Sequence, residues 1–145
     1  MTIFRFNAGF QMRRLMAFPV CALILAAGAC EGDDGAKGAI AVPSGREITL
    51  IEVITDVPGP AGVTARFRFL APDLVAKDLQ AAAIDMEALC NSHAVPWIAG
   101  LALAPLQIIL SLSAAPVAFG EAAPDVVQFF EAYSVQDGTC IREAF

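Results

Sequence analysis

His93 is the only histidine in the chain, so a Ser-His-Asp or Cys-His centre would have to be built on it. It falls at the end of an apolar helical face, three residues after Cys90. A packed or hydrogen-bonded histidine is the ordinary occupant of such a position. Glu121, in Phe119-Gly120-Glu121, has the right chemistry for general acid–base work, but no partner carboxylate is identifiable for it. Arg66 and Arg68 lie two apart, on one face of an alternating segment, where they could grip an anion. A charge ladder with Glu52 is the competing assignment. Phe129 and Phe130 are adjacent, and neighbours on a strand point to opposite faces. One ring therefore serves the core. The other, with Tyr133 nearby, is either covered by a loop or left as an anchor for a partner, and loop cover is the expectation.

Other chemistries lack their parts. One histidine and an expected cysteine pair leave a zinc site short of ligands. Glu31, Asp33 and Asp34 do not have the spacing of a calcium-binding hand and read as a solvated stretch. Gly59-Pro60-Ala61-Gly62 is not followed by a Lys-Ser/Thr pair, so it is a turn rather than a phosphate cradle. No metal, no cofactor and no catalysis are expected. The alternative is a small hydrolase-like enzyme using Glu121, His93 or Arg66/Arg68.

The start of the chain addresses location. Residues 1–30 hold Arg5, Arg13 and Arg14 and no acid, and residues 15–28 are apolar and end in small residues. That is the order of a secretory signal, with Met12 as an alternative start, and the apolar run is too short for a comfortable membrane span. Ala27-Gly28-Ala29 fits ordinary signal cleavage. The same residues followed by Cys30 resemble a lipobox, with Ala27 where Leu is more typical. The expected organisation is a signal peptide over 1–29, a tether over 30–42 and one domain over 43–145. Export as a lipoprotein acylated at Cys30, in the periplasm or on the outer membrane, is the leading expectation; soluble periplasmic or secreted protein is the alternative. Cys21 is lost with the signal. If Cys30 carries lipid, Cys90 and Cys140 remain as a pair for a disulfide; two buried thiols are the other reading.

Beyond the signal, six basic residues face fifteen acids, a net charge of −9. That excludes nucleic acid as a natural partner, since binding phosphates needs Lys and Arg. Membrane contact is expected through the lipid anchor only, and an envelope protein is the candidate partner.

The elements that must position these residues can be read in order. Glu47–Val57 is a strand rich in Ile, Val and Thr, and Pro58–Gly62 is a turn. Val63–Leu70 is the returning strand, with Val63, Ala65, Phe67 and Phe69 on one face and Thr64, Arg66 and Arg68 on the other. Pairing positions that sum to 120 sets Val53 against Phe67, Ile51 against Phe69, Glu52 against Arg68 and Ile54 against Arg66; a one-residue slip destroys every match. Ala71-Pro72-Asp73 starts a helix with Asp73 as N-cap. Leu79, Ala82 or Ala83, Met86, Cys90 and His93 form its inner face, Asp78 and Asp85 its outer face, and Val95-Pro96 its end. Leu106–Ser113, Val126–Val135 and Thr139–Phe145 are further strands, the last two joined at Gln136-Asp137-Gly138, with a long Ala- and Pro-rich loop from Ala114 to Asp125. The order β-β-α-β-β-β predicts an α+β domain: an antiparallel sheet of about five strands with one helix on a face.

Several segments, among them Thr55–Pro72, Gln107–Ser113, Pro116–Pro124, Gln128–Tyr133 and Asp137–Phe145, together resemble a family of small exported alphaproteobacterial proteins of unknown function. The resemblance covers residues 43–145, and Arg142 departs from it, standing where members often carry Trp. It implies a Gram-negative cell envelope and no assigned activity.

Overall fold

The computed structural model describes residues 38–102 and 104–144. The signal, the Cys30 acylation point and the acids Glu31, Asp33 and Asp34 lie outside the described residues, as does Phe145 at the end of the fifth expected strand.

The architecture is α+β. Five strands, β1 (Thr49–Ile54), β2 (Thr64–Leu70), β3 (Gln107–Ser113), β4 (Gln128–Gln136) and β5 (Thr139–Arg142), form one sheet in sequence order. β1–β2, β3–β4 and β4–β5 are antiparallel, as expected. β2 and β3 are parallel, which corrects the all-antiparallel expectation. The reason is the connection: a helix-bearing crossover carries the chain back to the end of the sheet where β2 began, so the next strand runs the same way.

The β1–β2 register follows the sum of 120 over Glu52↔Arg68, Val53↔Phe67 and Ile54↔Arg66. It then breaks. A bulge at Ile51 shifts the pairing so that Leu50, not Ile51, faces Phe69. Bulges of this kind are common on edge strands, where they bend the strand and sharpen its twist. The hairpin between β4 and β5 turns through Asp137 (φ 49°) and Gly138 (φ 75°). Two successive left-handed residues make the tight turn whose twist matches the flanking strands, which is why Asp-Gly stands there.

The crossover holds the larger corrections. A 3-10 turn (Ala76–Asp78) leads into α1 (Leu79–Leu89), so Asp73 is not the N-cap; it lies farther back and pairs with Arg46 at 3.0 Å. Asp78 instead accepts a hydrogen bond from the Val75 N–H, 3.1 Å away. The helical stretch does not stop at Val95-Pro96. It widens into a π-helical turn (Cys90–Ala94), in which the Val95 N–H donates to the Cys90 carbonyl, and then continues as α2 (Val95–Ile98). Proline cannot donate to a preceding carbonyl and crowds the turn before it. The π turn moves the hydrogen-bond ladder just ahead of Pro96, and Pro96 then occupies the first turn of α2, where a missing N–H is tolerated.

Leu79 and His93, expected on the inner face, are exposed, while Ala82, Ala83, Met86, Leu89, Cys90, Ala94 and Ile98 face the sheet. They meet Phe67, Phe69, Ile108, Leu110, Leu112 and Tyr133, all buried. Trp97 packs edge-on against Phe67 with ring centroids 5.4 Å apart. Asp85, expected on the outer face, is fully buried. Its oxygens accept from the Ser44 N–H (2.9 Å) and the Ser44 hydroxyl (2.5 Å), and the Arg46 Nε lies 3.9 Å away. A buried carboxylate survives only with such partners. Arg46 also reaches Asp78 at 2.9 Å. Burial works against the charge on Arg46, but the hydrogen bonds and charges of Asp78 and Asp73 outweigh it and raise its pKa. Segment 40–48 is thereby fastened to α1. Ile40 bridges Ile48, and both Ile40 and Val42 contact the core.

Cys90 and Cys140 form a disulfide, with sulfur atoms 2.00 Å apart. It ties the π turn to β5. Asn91 reinforces the same junction: its Oδ1 accepts from the Cys140 N–H at 3.0 Å, and its Nδ2 donates to the Glu87 carbonyl at 3.0 Å. The expected cysteine pairing is present.

Candidate functional site

The helix covers one face of the sheet. On the other face, strand alternation lines up Arg66 and Arg68 from β2 with Ile109 and Ser111 from β3, through the parallel pairs Arg66↔Ile109 and Arg68↔Ser111. The antiparallel pair Ser111↔Phe130 adds β4. The long loop between β3 and β4 supplies Phe119 from above. Together these six residues line a groove of about 220 Å³.

The loop is held in place by identifiable bonds. Ala114 N–H donates to the Val127 carbonyl at 2.9 Å and closes its base, and the Ser113 hydroxyl donates to the Ala115 carbonyl at 2.5 Å. Glu121 N–H donates to the Ala118 carbonyl at 3.2 Å, forming a turn with Phe119 and Gly120 at its centre. Gly120 has φ +83°, a conformation that side chains bearing a Cβ rarely adopt. This turn presents the Phe119 ring to both guanidinium groups, with ring-centre distances of 5.7 Å to Arg66 and 5.9 Å to Arg68. Both lie within the range of cation–π attraction.

The two arginines differ. Arg68 is 9% exposed; its Nη1 donates to Glu52 and its Nη2 to the Val117 carbonyl. Its charge is matched by a carboxylate, and its remaining reach is spent on fixing the loop. The expected charge ladder with Glu52 is present, and Arg68 also serves as the post on which the loop rests. Arg66 donates to two carbonyls only, those of Val57 and, at 3.4 Å, Pro58. It has no carboxylate partner among the described residues. A guanidinium has five N–H donors, so some remain unused.

Phe129 contacts the core, as one ring of the pair was expected to. Phe130 is 56% exposed, so the expectation that a loop would cover it is not met; it forms the open wall of the groove. Four of the residues singled out from sequence, Arg66, Arg68, Phe119 and Phe130, therefore converge. Glu121 does not line the groove, although it follows Phe119 by two residues. His93 is on the far side of the sheet, where its ring meets Phe69 edge-on at 6.5 Å. Ile109 and Ser111 were missed from sequence. Their alternation along β3 was visible, but which face they share with Arg66 depends on the parallel register.

A wider hollow of about 560 Å³ lies by the start of α1 and includes Lys77, Leu79, Ile84, Glu131 and Arg142. Two of its charges are paired: Arg142 is 3.5 Å from Glu131, and it also lies 3.9 Å from Glu87. Among the described residues no group of His, Cys, Asp and Glu is arranged to hold a metal ion. No helix among them is long and apolar enough to cross a membrane.

The sequence pattern of a family of unknown function, DUF6497, matches residues 22–145. The chain belongs to that family. The match takes in every strand, the helical crossover and all six groove residues. No curated protein matches this family member, and no solved structure does.

Proposed function

We propose that this DUF6497 member is an exported, non-catalytic binding module of the cell envelope, and that the Arg66–Phe119–Phe130 groove is its binding site. The observation that carries the reading is convergence. Two aromatic rings and two cations from β2, β4 and the β3–β4 loop meet on the sheet face that the helix leaves open. Ligand sites of proteins have this composition, apolar walls with a few placed polar groups. The groove holds a hydroxyl, Ser111, but neither His93 nor Glu121 among its lining residues, so the parts of a hydrolytic centre are dispersed.

Export is supported by the charged, apolar, small-residue order of the first 29 residues, and anchoring by Cys30 directly after Ala27-Gly28-Ala29. Fifteen acids against six bases beyond the signal support a partner other than nucleic acid.

Two experiments test this. Intact mass spectrometry of the native protein should show a chain beginning at an acylated Cys30; an unmodified Cys30 thiol, or cleavage elsewhere, refutes the anchor. Photo-crosslinking from position 119 in intact envelopes should trap a ligand or partner that Phe130→Ala releases. Turnover of an ester or amide substrate that is lost in His93→Ala or Glu121→Ala would instead establish an enzyme.

A further inference from the structure

The groove has one cation more than the fold uses. Glu52 neutralises Arg68, and Arg142 and Arg46 likewise face carboxylates, at 3.5 Å and 2.9 Å for their nearest full contacts. Arg66 alone among these arginines is met only by main-chain carbonyls and an aromatic ring. In a chain with net charge −6, an arginine kept apart from every described carboxylate is an unmatched positive charge in an acidic molecule. The walls beside it are apolar, Ile109 and Phe130, and the lid is Phe119. The volume of about 220 Å³ is below the range of drug-sized ligand pockets, and equals the liquid share of about seven waters.

We infer that the groove binds a small free carboxylic acid with an apolar body, its carboxylate on Arg66 and its body between Phe119 and Phe130. The inference rests on the groove being the binding site. The chemistry follows from the two halves of the site. The guanidinium offers N–H donors in a plane that suits a carboxylate, and charge-assisted bonds of this kind are the strong ones. The ring of Phe119 already lies against the same guanidinium, so the ligand completes a cation that the fold has only half surrounded. Ser111, on the neighbouring strand, adds a hydroxyl to the floor. Arg68 contributes the loop's position rather than a free charge, because Glu52 and the Val117 carbonyl occupy it.

The probe is phenylacetate, titrated into the oxidised, isotopically labelled protein and followed by amide chemical shifts. Phenylacetamide serves as its uncharged counterpart. The expected result is saturable shifts at Arg66, Ile109, Ser111 and Phe130, with phenylacetamide binding at least about tenfold more weakly, as the loss of a charge-assisted bond requires. Arg66→Gln should weaken phenylacetate about tenfold or more while leaving phenylacetamide unchanged. Phe130→Ala should weaken both. Arg66 is partly exposed, and an amide spectrum unchanged outside the groove checks that the variants fold.

Equal binding of the two probes, or indifference of phenylacetate to Arg66→Gln, overturns the carboxylate inference and leaves the groove as a site for uncharged apolar groups. Absence of groove shifts with both probes overturns the free-acid inference, and absence with the peptide described next overturns the binding reading as well. A short peptide ending in Phe with a free carboxylate provides the last arm. Binding of that peptide without binding of phenylacetate refutes the free acid and assigns the site to a chain terminus.

Discussion

Tyr133 is fully buried in the core, yet its hydroxyl has no partner at hydrogen-bond geometry among the described residues. Burial is the main cause that raises its pKa from 10.0 to about 12, with the negative charge of Glu131 adding to it and nearby Arg142 opposing. The folded state therefore holds the phenol proton more tightly than the unfolded chain does. A group whose folded pKa is raised contributes stability that is fully present below the unfolded value and is lost as pH rises through the folded value. Here the window runs from pH 10 to about 12. Two pKa units correspond to about 2–3 kcal/mol. Tyr133 is the only tyrosine in the chain, so the near-ultraviolet absorbance of tyrosinate reports on it alone. The folded protein should titrate near 12 and the denaturant-unfolded protein near 10. Denaturant unfolding at rising pH should show the stability loss in wild type and its absence in Tyr133→Phe, with other titrating groups common to both. A native titration near 10, or an alkaline loss of equal size in Tyr133→Phe, would refute the reasoning.

Other consequences are as direct. The cross-link between Cys90 and Cys140 spans 50 residues, so the paired change to serine should lower stability by about 4 kcal/mol, measured by denaturant unfolding of the oxidised wild type and the variant. Asp78 is held below its ordinary 3.8, first by the Val75 N–H and then by Arg46, with burial opposing. Its contribution is present above that value and is lost as pH falls through the lower folded value, so Asp78→Asn should flatten the acid limb of the stability curve below about pH 4. Nothing lies within 4 Å of a Cβ added at Gly120, so Gly120→Ala should cost only the strain of φ +83°, about 1 kcal/mol, as read by denaturant unfolding.

Some of this was legible in the chain and some was not, for physical reasons. The β1–β2 register could be read because alternation and a short turn are both local, and the bulge at Ile51 is invisible because it answers to twist rather than to pattern. The cysteine pairing followed from counting. The parallel β2–β3 pair did not follow, because it is decided by where a long crossover lands. Asp85 looked like a surface residue by helical spacing; its partners Ser44 and Arg46 lie about forty residues earlier, and no window of sequence contains both. Pro96 looked like a stop because its penalty applies to an α turn, and the preceding turn is π. The groove was half legible for the same reason as the sheet. Arg66, Arg68, Phe119 and Phe130 are conspicuous residue types, whereas Ile109 and Ser111 gain meaning only from the strand beside them.

The staple between the π turn and β5 also sets an order of events. Cys90 precedes its partner by 50 residues, and that partner stands on β5, the last strand in the sequence order. The hairpin of β1 and β2 and the helical turn that carries Cys90 rest on local contacts, which form faster than a pairing across 50 residues. What arrives last is therefore a latch. β5 closes over a largely assembled sheet, and oxidation records that closure instead of directing it.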